Sequence, residues 1–123
     1  LYLGNIYAKR DWGHAKDYVE AMWKMLQNKK PNDYVISTGK HFTVKQFIQI
    51  TAKKLKMKIK WIGKGINEKC IWNNKVIIKI DKKYFRPTEV ESLKGNYSKA
   101  KKILGWKPKV KLEDLITDMI LGK

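Results

Sequence analysis

Residues 14–27 read HAKDYVEAMWKMLQ, with apolar side chains at Ala15, Tyr18, Val19, Met22, Trp23, Met25 and Leu26. That spacing repeats every three to four positions and predicts a helix with a wide apolar stripe. Asp17 falls in its first turn, where a carboxylate meets unpaired amides and the positive end of the helix dipole. The segment NKKPND then breaks the helix. Residues 34–38, YVIST, form a short apolar run ending at Gly39 and predict a buried strand. Residues 43–55 carry Val44, Phe47, Ile48, Ile50 and Leu55 on one side, which predicts a second helix with Thr43 as its N-cap.

Period-two patterning takes over further on. MKIKWI, residues 57–62, alternates as a half-exposed strand should. GKGINEKC reads as a polar loop. IWNNKVIIKI, residues 71–80, predicts a hairpin turning at Asn73 and Asn74, because asparagine tolerates positive φ. A short helix follows over 98–106, with Ser98 as cap and Gly105 as stop. Lys107 and Pro108 make a rigid connector to a closing amphipathic helix over 112–121. With a short strand and turn at 1–7, the order is strand, helix, strand, helix, strand, hairpin, helix, helix. The fold class is α/β, with too few parallel units for a complete doubly wound sheet. No internal repeat or low-complexity segment interrupts it.

At 123 residues the chain is one domain or part of one. It opens at Leu1 on apolar residues, and is expected to be part of something larger. No apolar run approaches the length of a membrane span. A lone cysteine, Cys70, makes neither an intrachain disulfide nor a metal site, which suits a reducing compartment.

The formal net charge is +17. A basic chain can be the footprint of a polyanion partner, which makes a small nucleic-acid-binding module one reading. The lysines, however, are scattered, with no run longer than two, and they accompany abundant isoleucine and asparagine. Composition drift accounts for such a pattern without any partner, and nucleic acid is the weaker reading.

Of the 28 lysines and arginines only two, Arg10 and Arg86, are arginine. Guanidinium offers a planar fork that grips phosphate or carboxylate with two parallel bonds, whereas lysine is a mobile point charge. Both arginines are expected in turns beside an acid, Asp11 for one and Glu89 for the other. They can bind an anionic ligand or serve as structural ion-pair partners. Two forks would suit a diphosphate, and Glu89 could accept two bonds from ribose hydroxyls. The remaining candidates point to structure. His14 and His41 lack metal spacing, Cys70 has no patterned base, and Glu113 and Asp114 suit a helix start. No catalytic residue and no metal site is expected.

The segments LGNIYAKRDWGHAKDYVEAMWKMLQ, YVISTGKHFTVKQF, YFRPTEVESLKGNYSKAKKILGWKPKV and EDLITDMI run in one order along nearly the whole chain. Together they resemble the C-terminal, substrate-binding part of the GDP-mannose 4,6-dehydratase family, within the extended short-chain dehydrogenases/reductases. The resemblance implies an α/β fragment of residues 1–123 that lacks most of the Rossmann sheet. It implies that Arg10 and Arg86 contact the nucleotide diphosphate, that Glu89 contacts the ribose, and that Leu3 and Gly4 border the base pocket. His14 and Asp17 match positions that fix the start of a helix.

By the same resemblance, a complete enzyme converts GDP-mannose to GDP-4-keto-6-deoxymannose. It oxidises carbon 4 with NADP, eliminates water across carbons 5 and 6, and returns the hydride to carbon 6. The glycine-rich cofactor turn, the Tyr-x-x-x-Lys pair and the catalytic Thr and Glu are not in this sequence. NADP is therefore expected on a preceding portion, and these residues alone are expected to be inactive. The complete enzyme is expected to be cytoplasmic, homo-oligomeric and free of membrane. A related nucleotide-sugar epimerase or dehydratase using another base is the alternative within the family. Residues 63–74, with Cys70, Ile71 and Trp72, depart from the usual glycine-rich and basic pattern.

Overall fold

The computed structural model describes residues 1–122. Its elements in chain order are β1 (Tyr2–Leu3), β2 (Lys9–Arg10), α1 (Ala15–Gln27), β3 (Phe42–Thr43), α2 (Val44–Lys54), β4 (Lys60–Ile62), β5 (Lys69–Trp72), β6 (Lys75–Ile80), α3 (Ser98–Leu104) and α4 (Leu112–Leu121). They divide into two compact units. The first comprises Leu1–Ala8 and Thr43–Glu91, the second Lys9–Phe42 and Ser92–Lys123. No helix among the described residues is long and apolar enough to cross a membrane.

The first unit is built on a four-stranded sheet in the order β1-β6-β5-β4. Asn73 and Asn74 adopt φ of 50° and 60°, so the predicted hairpin closes through two left-handed residues. This tight turn matches the natural twist of the strands it joins. β1 lies parallel to β6, with Tyr2 opposite Lys79 and Leu3 opposite Ile80. Helix α2 starts as its sequence predicts. The Thr43 hydroxyl accepts from Gln46 N at 3.0 Å, and the Gln46 side chain accepts from Thr43 N at 2.7 Å. Its next two amides, on Val44 and Lys45, donate to the carbonyls of Ala8 and Ile6. Donors that a helix leaves unpaired at its N-terminus thus tether residues 6–8. Ile6, Ala8, Ala52, Cys70 and Ile78 are buried around this arrangement.

The second unit packs α1 and α3 around Ala21, Ala100 and Trp106, with Tyr18, Met25, Tyr34, Ile36, Tyr97 and Leu104 against them. Trp106 is 1% exposed and stands edge-on to Tyr97, ring centroids 5.9 Å apart at 88°. Its indole N–H donates to the Asp17 carbonyl at 2.8 Å, which satisfies the one polar atom of a buried side chain. Gly105, at φ 65°, ends α3 in the left-handed conformation that the sequence predicts. Leu112, Leu115 and Ile116 of α4 are buried.

Several expectations are corrected. Residues 34–38 form no strand. Val35 is 54% exposed, and no ladder partner pairs with the segment among the described residues. A strand exists only where a neighbour takes its backbone bonds, and here Thr38 N donates to the Asp11 side chain instead. Asp17 lies in the first turn of α1 as predicted, but it is also 4% exposed, and its Oδ2 accepts from the backbone amides of Lys109 and Val110 at 2.9 and 3.0 Å, bonds that the sequence did not suggest. His14 is the N-cap, its Nδ1 accepting from Lys16 N. Ser98 is the first residue of α3, and Asn96 accepts from its amide. Residues 63–70 are not wholly a loop: Gly65–Asn67 make a 3-10 turn, and Lys69 and Cys70 belong to β5. Only Lys60–Ile62 of the segment 57–62 are paired.

Trp106→Phe removes a buried donor's bond and leaves part of the indole volume empty. It is expected to lower unfolding free energy by about 2 kcal/mol, measured by urea denaturation.

Candidate functional site

The parallel pairing of β1 with β6 sets up the site. Lys79 N donates to Leu1 O at 3.0 Å and Asp81 N to Leu3 O at 2.8 Å, so the two strands end side by side. β6 then enters a 3-10 turn, Lys82–Tyr84, whose start is capped by Asp81 Oδ1 accepting from Lys83 N. Gly4 follows β1 and abuts this turn. A Cβ at position 4 would stand 2.4 Å from the Tyr84 oxygen and 2.8 Å from its carbonyl carbon, so only glycine allows the approach. From Phe85 the chain runs directly into the next turn, closed by Glu89 N donating to Arg86 O at 3.3 Å. Four predicted site residues, Leu3, Gly4, Arg86 and Glu89, therefore lie in one unit on connected backbone. Arg86 is exposed and Glu89 half-buried.

Between the end of β1, the turn at 65–66, the end of β6 and Phe85 is a cavity of about 390 Å³. Ile6, Tyr7, Ile66, Ile80 and Phe85 give it an apolar lining, and Asn5 and Lys82 add polar groups. Such a lining suits a flat, largely apolar ligand face with few hydrogen-bonding edges. It holds no nucleophile and no acid–base pair.

Arg10 belongs to the second unit and lies in β2, not in a turn as the sequence suggested. Its Nη1 donates to Lys9 O at 2.8 Å. The neighbouring Asp11 is occupied by its own unit. Oδ1 accepts from Thr38 N at 2.9 Å and the Thr38 hydroxyl at 2.5 Å, and Oδ2 accepts from Gly39 N at 3.0 Å and Gly95 N at 3.2 Å. The backbone at position 10 is thereby anchored one residue away.

The residues read as structural behave so. His14 Nδ1 accepts from backbone, which puts the proton on Nε2, 3.2 Å from Asp118 Oδ2. His41 Nδ1 lies 3.1 Å from the Ser92 hydroxyl. Cys70 is wholly buried in β5, and burial raises its thiol pKa against a smaller opposing pull from Lys45, so it is a poor nucleophile. No group of three metal-ligating side chains occurs among the described residues.

One cluster escaped the sequence reading. Glu68 is 3% exposed and accepts the Tyr7 hydroxyl at 2.8 Å on one oxygen and 2.7 Å on the other. Lys45 Nζ donates to Glu68 Oε1 at 2.5 Å and to the Tyr7 hydroxyl at 3.2 Å. The same ammonium lies 5.2 Å from the Tyr7 ring centroid and 4.9 Å from that of Trp61. Burial pushes the Glu68 pKa up, but the bonds from Lys45 and Tyr7 outweigh it and hold it below the ordinary carboxylate value. The bond to Glu68 raises Lys45, against the lowering effect of burial. Tyr7 and Glu68 are 61 positions apart, and no local pattern marks the pairing.

Residues 1–119 match the family model described as GDP-mannose 4,6 dehydratase. A GDP-mannose 4,6 dehydratase of Dictyostelium discoideum is 52% identical over 122 residues, covering 98% of this chain and 34% of that protein. The human GDP-mannose 4,6 dehydratase is 50% identical over 120 residues, covering 96% of this chain and 32% of its own length. The chain thus spans about a third of the curated relatives it matches. Among solved structures, RMD from Pseudomonas aeruginosa complexed with NADPH superposes with a TM-score of 0.70 at 18% identity, over 94% of this chain and 33% of that one. UDP-glucose 4-epimerase from Thermotoga maritima with UDP-glucose gives 0.69 at 23%, over 94% and 32%. The chain shares its mixed α/β fold with about a third of each of these structures, as the predicted fold class requires.

The Glu68 cluster predicts a pH signature. A lowered carboxylate pKa contributes stability that is complete above the unfolded-state value and vanishes as pH falls through the folded-state value. The raised Lys45 pKa contributes stability that is complete below its unfolded-state value and is lost as pH rises through the folded one. The unfolding free-energy difference between the native chain and Glu68→Gln should be flat near neutrality and shrink on acidification. Urea titrations from pH 7 downward measure it; a difference that does not change with pH contradicts the linkage.

Proposed function

The chain belongs to the GDP-mannose 4,6-dehydratase family, and from that premise we propose that it is the part of such an enzyme that binds the GDP moiety of GDP-mannose. In this reading Arg86 holds the diphosphate, Glu89 accepts from the ribose, and Leu3 and Gly4 border the base. The observation that carries it is the Arg86–Glu89 turn, seated through Tyr84 and Phe85 against Gly4 and next to an apolar cavity. A fork, a carboxylate and a flat apolar pocket on connected backbone match the three chemically distinct parts of a nucleoside diphosphate.

The complete protein then converts GDP-mannose to GDP-4-keto-6-deoxymannose, and the contribution of these residues is orientation. Binding energy from the remote nucleotide fixes where the sugar lies before any bond changes. Guanidinium suits that task because two parallel bonds define a direction as well as a charge. NADP supplies the hydride acceptor in this scheme. The described residues hold no glycine-rich strand-to-helix turn to cradle a dinucleotide pyrophosphate, so they do not fit the cofactor, which we assign to the part of the relatives' length outside them. Helix α1 supports that division. Val19, Met22, Trp23 and Leu26 are each at least 60% exposed along one stripe, more apolar surface than a finished fold leaves open. We place the complete enzyme in the cytoplasm as a homo-oligomer.

Arg86→Lys keeps the charge and loses the fork. GDP affinity, measured by calorimetry, should fall about tenfold, the scale of one charge-assisted hydrogen bond. An unchanged affinity removes Arg86 from the diphosphate site.

A further inference from the structure

We propose that Tyr7 is a base-stacking residue of the cavity in the first unit, and that the Lys45–Glu68 pair is the device that positions it. This rests on the reading of that cavity as the nucleotide's base pocket.

Tyr7 combines two features that rarely occur together. Its hydroxyl is bonded to both oxygens of a buried carboxylate and to an ammonium group, yet the residue is 54% exposed. Its backbone is held as firmly. The flanking carbonyls of Ile6 and Ala8 accept the first amides of α2, and its own N–H donates to Asn5 Oδ1 at 3.0 Å. A surface tyrosine ordinarily moves between rotamers. This one is fixed at both ends and lines the cavity with Gly4, Ile66 and Phe85.

A fixed aromatic ring with open surface is suited to stack on a planar partner. It contributes large contact area and loses little conformational entropy when the partner arrives. The cavity supplies the matching apolar surroundings. A merely structural role, a tyrosine serving to satisfy Glu68, would not need the ring to border a cavity. Lys45 alone already gives that carboxylate a charged partner at 2.5 Å. Lys45 is the positioning residue: it bonds Glu68 and the Tyr7 hydroxyl at once, and its ammonium lies against the ring. The ligand class is the planar base of a nucleoside diphosphate.

The test measures binding of GDP by calorimetry to the intact protein, and of inorganic pyrophosphate as its competitor. Pyrophosphate carries the diphosphate without a base. Tyr7→Leu is expected to weaken GDP about tenfold, the scale of one lost base–aromatic stack, and to leave pyrophosphate unchanged. Tyr7→Trp, which keeps a flat ring but loses the hydroxyl that the pair holds, should weaken GDP less than Tyr7→Leu does. Lys45→Met should weaken GDP selectively and Lys45→Arg should restore it, a pattern that loss of stability alone would not produce. Thermal melts establish that each variant is folded, and if Tyr7→Leu is not, Tyr7→Trp and the Lys45 pair decide. Tyr7→Leu binding GDP normally, or losing GDP and pyrophosphate equally, overturns the stacking role and leaves the nucleotide reading intact. A native protein that binds no GDP overturns the nucleotide reading itself and this proposal with it.

Discussion

The Asp11 carboxylate organises the second unit. It takes four donors from two segments, residues 38–39 and Gly95, the latter 84 positions along the chain. Each oxygen is shared, so no single donor can leave without exposing an unmatched charge or an unmatched amide. The extended run at 34–38 needs this anchoring because no neighbouring strand takes its backbone bonds among the described residues. Gly95 comes so close that a Cβ there would stand 2.3 Å from the Ser37 side chain. Asp17 works in the same way beneath Trp106, gathering Lys109 and Val110. In a chain with 11 acids against 28 basic side chains, Asp11 and Asp17 are committed to holding loops in place.

Local chemistry was legible wherever it decided the outcome. Thr43, Gly105 and the Asn73–Asn74 pair each specify a cap or a turn through local chemistry, and each does so in the structure. The helices over 15–27 and 112–121 follow from their apolar stripes. The failures share one cause. YVIST has the composition of a buried strand, but a strand is a property of two segments and composition describes one. Asp17 is the helix-start acid it looked like, but its bonds to residues 92 and 93 positions away are invisible to a local reading. Cys70 was read into a loop because the residues before it are polar, whereas its partners in the sheet are Trp61 and Ile78.

The candidate site divides in the same manner. Arg86 and Glu89 stood out through residue chemistry, since arginine is rare here and the acid lies three positions on. Their assignment to a nucleotide came from family resemblance, which covers residues 1–119. Why position 4 must be glycine became apparent only from the approach of Tyr84. The Tyr7–Lys45–Glu68 cluster was not legible at all. In a chain with 28 basic side chains, nothing in the sequence distinguishes the one lysine placed 2.5 Å from a buried acid.

The hidden thiol of β5 has a practical consequence. Cys70 is the only sulfhydryl in the chain, and no solvent reaches it while β4, β5 and β6 remain paired. Any alkylating reagent that modifies it must wait for those strands to part. The labelling rate therefore clocks how often the sheet opens, a reading of local motion obtained from one native atom and without any engineered probe.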